Sequence, residues 1–170
     1  MKMFVALAAT LAGSVQAHVV MAPAEAMAGS YYAGEFRISH GCQDAATTSV
    51  RIEVPESVLA ARPRAKPGWT IEIERASLAT PTVSEGREQR DRVAAITWRG
   101  NLPADQFDGF GVILKLPKAL SGPLYLPVRQ TCGAETVAWI EIPAAGQSWD
   151  ALKHPAPVLT VEPSAANHGH

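Results

Sequence analysis

Hydrophobic and polar residues alternate along most of the chain, and this period of two is typical of half-buried β-strands. The clearest case is 47–54, where Val50, Ile52 and Val54 share one face and charged residues occupy the other. In 31–39 the shared apolar face carries Phe36 and Ile38. The same pattern predicts further strands at 18–21, 69–74, 93–98, 110–116, 124–130, 136–142 and 158–161.

Turn signals separate these strands, and helical periodicity is almost absent. Segments 124–130 and 136–142 flank Gly133-Ala134 and are predicted to form a hairpin, in which Pro127 indicates an edge strand or a bulge. Segment 80–92 is polar without a period and is predicted to be an exposed loop. Many short strands with frequent turns favour a single-domain, all-β fold, a β-sandwich.

The first 17 residues have the features of a secretory signal peptide. Lys2 supplies a positive start, an apolar run follows, and Val15-Gln16-Ala17 places small residues at a cleavage site. Cleavage after Ala17 makes His18 the first residue of the mature chain, with a free α-amine beside its imidazole. These two nitrogens can chelate one metal ion, and nitrogen ligands suit Cu(II), which binds most tightly among the divalent ions.

Composition restricts the function classes. Loss of 1–17 leaves 14 basic and 16 acidic residues and changes the formal charge from −1 to −2, without a basic block for nucleic acid. No later apolar stretch approaches the roughly 18 residues of a membrane span, so we expect a soluble protein without a membrane anchor. The Gly-x-Ser-x-Gly, phosphate-loop and His-Glu-x-x-His motifs are absent from the sequence.

The chain has two cysteines, Cys42 and Cys132. Exported thiols are normally oxidised, which favours a disulfide between them, with a thiolate copper ligand as the alternative. A bridge would fix the position of His40, two residues before Cys42. The later histidines, His154, His168 and His170, are interpreted as surface residues, the last two in a tail.

Among the four tryptophans, Trp69 and Trp98 fit the patterned faces of their strands as core residues. Trp139 differs, because Ile140 and Ile142 share the opposite face of its strand. It either lines a site on that opposite face or belongs to a second buried layer.

The order of several short motifs resembles the YcnI family of exported copper-binding proteins from residue 18 to about residue 161. The motifs are His18-Val19-Val20, Gly29-Ser30-Tyr31-Tyr32, Phe36-Arg37-Ile38-Ser39-His40-Gly41-Cys42, Thr47-Thr48, Pro67-Gly68-Trp69, Ile96-Thr97-Trp98, Phe107-Asp108-Gly109-Phe110, Gln130-Thr131-Cys132, Trp139-Ile140-Glu141 and Pro155-Ala156-Pro157.

The resemblance implies a β-sandwich, cupredoxin-like or immunoglobulin-like, that binds Cu(II) through a mono-histidine brace. In that family the terminal histidine supplies two nitrogens, a carboxylate completes the site and a tryptophan lies close to the metal. His18 and Trp139 match the first and last roles. Where better-known members carry a glutamate this chain has Ser39-His40-Gly41-Cys42, so His40 is expected to substitute as the third ligand.

We therefore expect a signal peptide at 1–17, a copper-binding β-sandwich at 18–163 and a disordered histidine-containing tail at 164–170. The expected function is periplasmic copper storage, trafficking or homeostasis without catalysis. The resemblance suggests periplasmic copper chaperones and inner-membrane copper transporters as partners. Two alternatives stay open: a copper-dependent monooxygenase, which also uses an N-terminal histidine, and a β-sandwich interaction module that binds no metal.

Overall fold

The computed structural model describes residues 18–84 and 86–164. The predicted signal peptide, residues 165–170 of the predicted tail, and with them His168 and His170, lie outside the described residues. Within the described part of the chain, no helix is long and apolar enough to cross a membrane. The strands are β1 Val20–Ala22, β2 Glu25–Met27, β3 Tyr31–Ile38, β4 Thr47–Glu53, β5 Ala60–Pro63, β6 Thr70–Ser84, β7 Arg87–Leu102, β8 Asp108–Lys115, β9 Gly122–Tyr125, β10 Val128–Cys132, β11 Glu135–Trp139 and β12 Val158–Glu162.

Three sheets form a β-sandwich, as the alternating pattern predicts. One has the strand order β1-β3-β8-β5, the second β11-β10-β4-β7-β6, and the third is a small sheet of order β2-β12-β9. Only the β2–β12 pair among them is parallel. The apolar faces of the two larger sheets supply the core, whose largest fully buried side chains include Trp98, Phe36, Phe110 and Ile52. The predicted apolar faces of β3 and β4 are therefore confirmed.

The predicted loop at 80–92 is wrong. β6 and β7 continue through this region as a two-stranded ribbon, paired to Ser84 and Arg87 at its tip. Sequence periodicity does not detect the ribbon because both of its faces meet water, which removes the alternation. Ile73 is likewise 44% exposed, because it lies on β6, the edge strand of its sheet.

Pro127 divides the predicted strand 124–130 rather than bending it. β9 precedes the proline and pairs with β12, whereas β10 follows it and pairs with β4 and β11. A proline cannot donate a ladder hydrogen bond, so the chain passes from one sheet to another at this residue. The predicted hairpin around Gly133 is confirmed, with Cys132 opposite Glu135.

Candidate metal site

The structure places His18 immediately before β1, with its ring between two indoles. The ring centroids lie 5.0 Å from Trp149 and 6.0 Å from Trp139, both edge-to-face. The Nε2 atom of His18 is buried and has no hydrogen-bond partner among the described residues. The next residue, Val19, is buried in the core and fixes the backbone here. A ring nitrogen in such a pocket is held in place by packing rather than by polar contacts.

Trp139 ends β11 and is 6% exposed. The two isoleucines that follow it in 136–142 are exposed instead, Ile142 by 57%. The sequence left open whether Trp139 lines a site or joins a buried layer, and the structure places it both beside His18 and in the hydrophobic core.

A buried glutamine fixes the orientation of the Trp139 ring. Gln130 on β10 is 2% exposed, and its Oε1 accepts a hydrogen bond of 3.1 Å from Trp139 Nε1. Its Nε2 donates at 2.8 Å to the carbonyl of His40 and at 2.8 Å to the hydroxyl of Thr47. The side-chain amide is thereby fully engaged on both sides.

The sequence analysis missed Trp149 and His154 as neighbours of the site. Trp149 begins a short 3₁₀ helix, and its Nε1 donates to the Ala156 carbonyl at 2.8 Å. The His154 ring lies 5.3 Å from that of Trp139, nearly perpendicular to it. The Glu141 carboxylate accepts from the backbone N–H of His154 at 3.3 Å. The available signal was a tryptophan and a histidine just before Pro155-Ala156-Pro157, in a segment without periodicity.

His40 is exposed, and its Nδ1 lies against the carbonyl of Gly41. It lines a cleft of about 350 Å³ together with His154, Lys153 and Trp139, and His18 is not among the residues that line this cleft. Trp139 thus lies beside His18 and also lines the cleft that holds His40 and His154.

The predicted disulfide is present. Cys42 and Cys132 are bridged with their Cα atoms 5.8 Å apart. In addition, the backbone N–H of Cys42 donates to the Sγ of Cys132 at 3.1 Å. Both sulfurs are used in this bond, so the alternative of a thiolate copper ligand does not apply to the oxidised protein.

Among the described residues there is no group of three or more His, Cys, Asp or Glu side chains arranged to hold a metal ion. A chelate by a terminal histidine does not need one, because the amine and the ring of a single residue supply two ligands. In donor chemistry, an imidazole whose ring is held between two indoles fits such a chelate.

Three side chains outside the candidate metal site, Arg51, Glu74 and Tyr32, have shifted pKa values. On the outer face of the second sheet, a hydrogen bond with Glu74 raises the pKa of Arg51, and the same bond lowers the pKa of Glu74. Burial, with a smaller contribution from the charge of Glu35, raises the pKa of Tyr32 to about 12.

Comparison with known proteins gives a family and a fold. Residues 18–161 match the model of a domain of unknown function, DUF1775. No curated protein matches the sequence. Among solved structures, the chain is similar to a crystal structure of an uncharacterized protein from Nocardia farcinica that reveals an immunoglobulin-like fold. The identity is 31%, over 85% of this chain and 97% of that one, with a TM-score of 0.62. The protein thus belongs to DUF1775, the YcnI-type family, and has the β-sandwich fold that its strand pattern predicts.

Proposed function

We propose that this protein is exported to the periplasm, loses residues 1–17, and binds Cu(II) as cargo through the amine and imidazole of His18. The observation that carries the proposal is the His18 ring, fixed edge-to-face between Trp139 and Trp149. The α-amine of a first residue has a reference pKa of about 7.7–8. Copper therefore displaces its proton at little cost near neutral pH.

Two further features support this proposal. The family match begins at residue 18, the residue that cleavage would expose. A disulfide between Cys42 and Cys132 suits an oxidising compartment. The chelate closes through Nδ1, since this atom forms a six-membered ring with the metal and the amine. Nε2 then carries the ring proton and is not a ligand.

For the remaining ligand, His40 and His154 are the candidates. Both line the cleft beside Trp139. Imidazole suits copper in either case. We propose a role in copper storage or delivery, with periplasmic chaperones or inner-membrane transporters as partners, rather than catalysis.

The decisive experiment compares three forms of the mature protein. Copper titration is performed on protein beginning at His18, on the same protein with its α-amine acetylated, and on His18→Ala. We expect both altered forms to lose at least about 100-fold in Cu(II) affinity, more than the tenfold to 100-fold typical of losing an outer-shell partner. His40→Ala and His154→Ala, measured in parallel, identify the third ligand.

Unchanged binding by the acetylated form would refute the brace. If none of the forms binds Cu(II), the protein is a metal-free interaction module. Copper-dependent oxidation of a polysaccharide by the His18 form would instead establish the monooxygenase alternative.

A further inference from the structure

The outer face of the β1-β3-β8-β5 sheet has small residues where a solvent-facing sheet normally carries long polar ones. Strand register aligns them in rows: Ala22 on β1 lies opposite Glu35 on β3, and Glu35 lies opposite Gly111 on β8. In the next row Ala33 lies opposite Ile113. The alanines and glycine leave the middle of this face without side chains, so a trough crosses the sheet.

This trough has a volume of about 790 Å³. Its apolar wall includes Ile113, which is 45% exposed. A Cβ at Gly111 would lie only 2.7 Å from Nε of Arg64, so the glycine is needed for the Arg64 side chain to lie across β8. The volume falls within the usual range of small-molecule sites, about 300–1,000 Å³. Such sites also have a mostly apolar lining, as this trough does.

Three arginines line the trough: Arg37, Arg62 and Arg64. The carboxylate of Glu35 pairs with Arg37 at 3.1 Å and with Arg64 at 3.2 Å. Arg62 forms no ion pair within the described part of the chain. One carboxylate against three guanidinium groups gives the lining of the trough a formal charge of +2, although the whole chain has a formal charge of −1.

We propose that the trough binds a small organic anion with a flat apolar body and two or more carboxylates. The planar guanidinium fork matches a carboxylate with two parallel hydrogen bonds. Ala33, Gly111 and Ile113 provide the surface for the apolar body. This site is on the outside of a different sheet from Trp139, and the proposal does not depend on copper binding.

The test uses benzene-1,3,5-tricarboxylate as the probe, with citrate as a carboxylate that lacks the flat body and inorganic phosphate as charge alone. Calorimetry on metal-free mature protein should give a Kd for the tricarboxylate below about 1 mM, weaker binding of citrate and weaker still of phosphate. Amide NMR shifts should map to Ala33, Gly34 and Gly111. Because the charges are exposed, binding should weaken as salt increases.

Two variants test separately the apolar surface of the trough and its positive charges. Ala33→Phe fills the trough from an exposed position, and Arg62→Gln/Arg64→Gln removes two cations. Each should weaken tricarboxylate binding at least tenfold. The matched controls, Ala79→Phe on the β6–β7 ribbon and Arg99→Gln/Arg129→Gln on the second sheet, should not change it. Absence of binding below 1 mM, equal binding of phosphate, or shifts that map to the His18 pocket would each overturn the proposal.

Discussion

Replacing Gln130 with leucine should destabilise the fold and release the Trp139 ring. Leucine keeps the approximate volume of the side chain but removes all three of its hydrogen bonds. A typical bond contributes about 1 kcal/mol net, and a buried donor left without a partner costs about 1–3 kcal/mol. Trp139 Nε1 becomes such a donor, so we expect a loss of about 2–4 kcal/mol in the free energy of unfolding.

Urea denaturation followed by circular dichroism measures this loss, with Gln106→Leu as the control because Gln106 is exposed. Tryptophan emission of the folded variant should shift, since the indole of Trp139 no longer has its acceptor. A double-mutant cycle that combines Gln130→Leu with Thr47→Val adds a further check. Thr47 is fully buried and shares the Gln130 amide, so removing both partners should cost less than the sum of the two single changes.

A loss below about 1 kcal/mol for Gln130→Leu, or additive effects in the cycle, would refute this reasoning. The first result would mean that apolar packing alone holds Trp139, and the second that the side chains of Thr47 and Gln130 are not coupled.

Three further predictions concern the disulfide, the buried tyrosine and the indoles. Cys42→Ala/Cys132→Ala should lose about 2–5 kcal/mol of stability in urea denaturation, because the bridge closes a long loop, and thiol labelling of the native protein should find no free thiol. The folded state raises the pKa of Tyr32 to about 12, against about 10 in an unfolded chain. The unfolded chain therefore loses its proton first, so Tyr32 should contribute stability below pH 10 that is lost, on the order of 1 kcal/mol after solvent screening, as pH rises to about 12. Cu(II) should quench tryptophan fluorescence, Trp139→Phe and Trp149→Phe should each remove part of the drop, and the double variant most of it.

The tyrosine and indole predictions each have a control variant that is measured in the same assay. Tyr32→Phe should flatten the alkaline stability curve and Tyr125→Phe should not, and equal curves would contradict the tyrosine argument. Trp69→Phe should keep the copper quench, because Trp69 packs against Phe110 in the core, 4.9 Å between ring centroids. A full quench in the Trp139/Trp149 double variant would remove both indoles from the copper site.

The strands were predictable because period-two alternation is a local property of the sequence. The face that becomes core was not always predictable. In β11 the aliphatic residues suggested one face, but Trp139 occupies the buried one, since the position of neighbouring elements decides which side meets the core. Trp149 and His154 were missed for a related reason: they lie in an irregular segment, where only tertiary packing brings side chains to the site.

Strand β10 shows how the fold connects its disulfide to the candidate metal site. Gln130 and Cys132 project to the same buried side of this strand, as period two requires. The first bonds to the carbonyl of His40 and the second is bridged to Cys42, so two links, each two residues apart, hold segment 40–42 along β10. Because the same Gln130 amide also accepts from Trp139, the bridge and the indole share one support. Loss of the disulfide should therefore make the Trp139 ring more mobile in the folded protein, in addition to increasing the conformational freedom of the unfolded chain. The losses in the free energy of unfolding from removing the bridge and from replacing Gln130 should be less than additive. Each change frees segment 40–42 from β10, and the remaining link then stabilises the fold less.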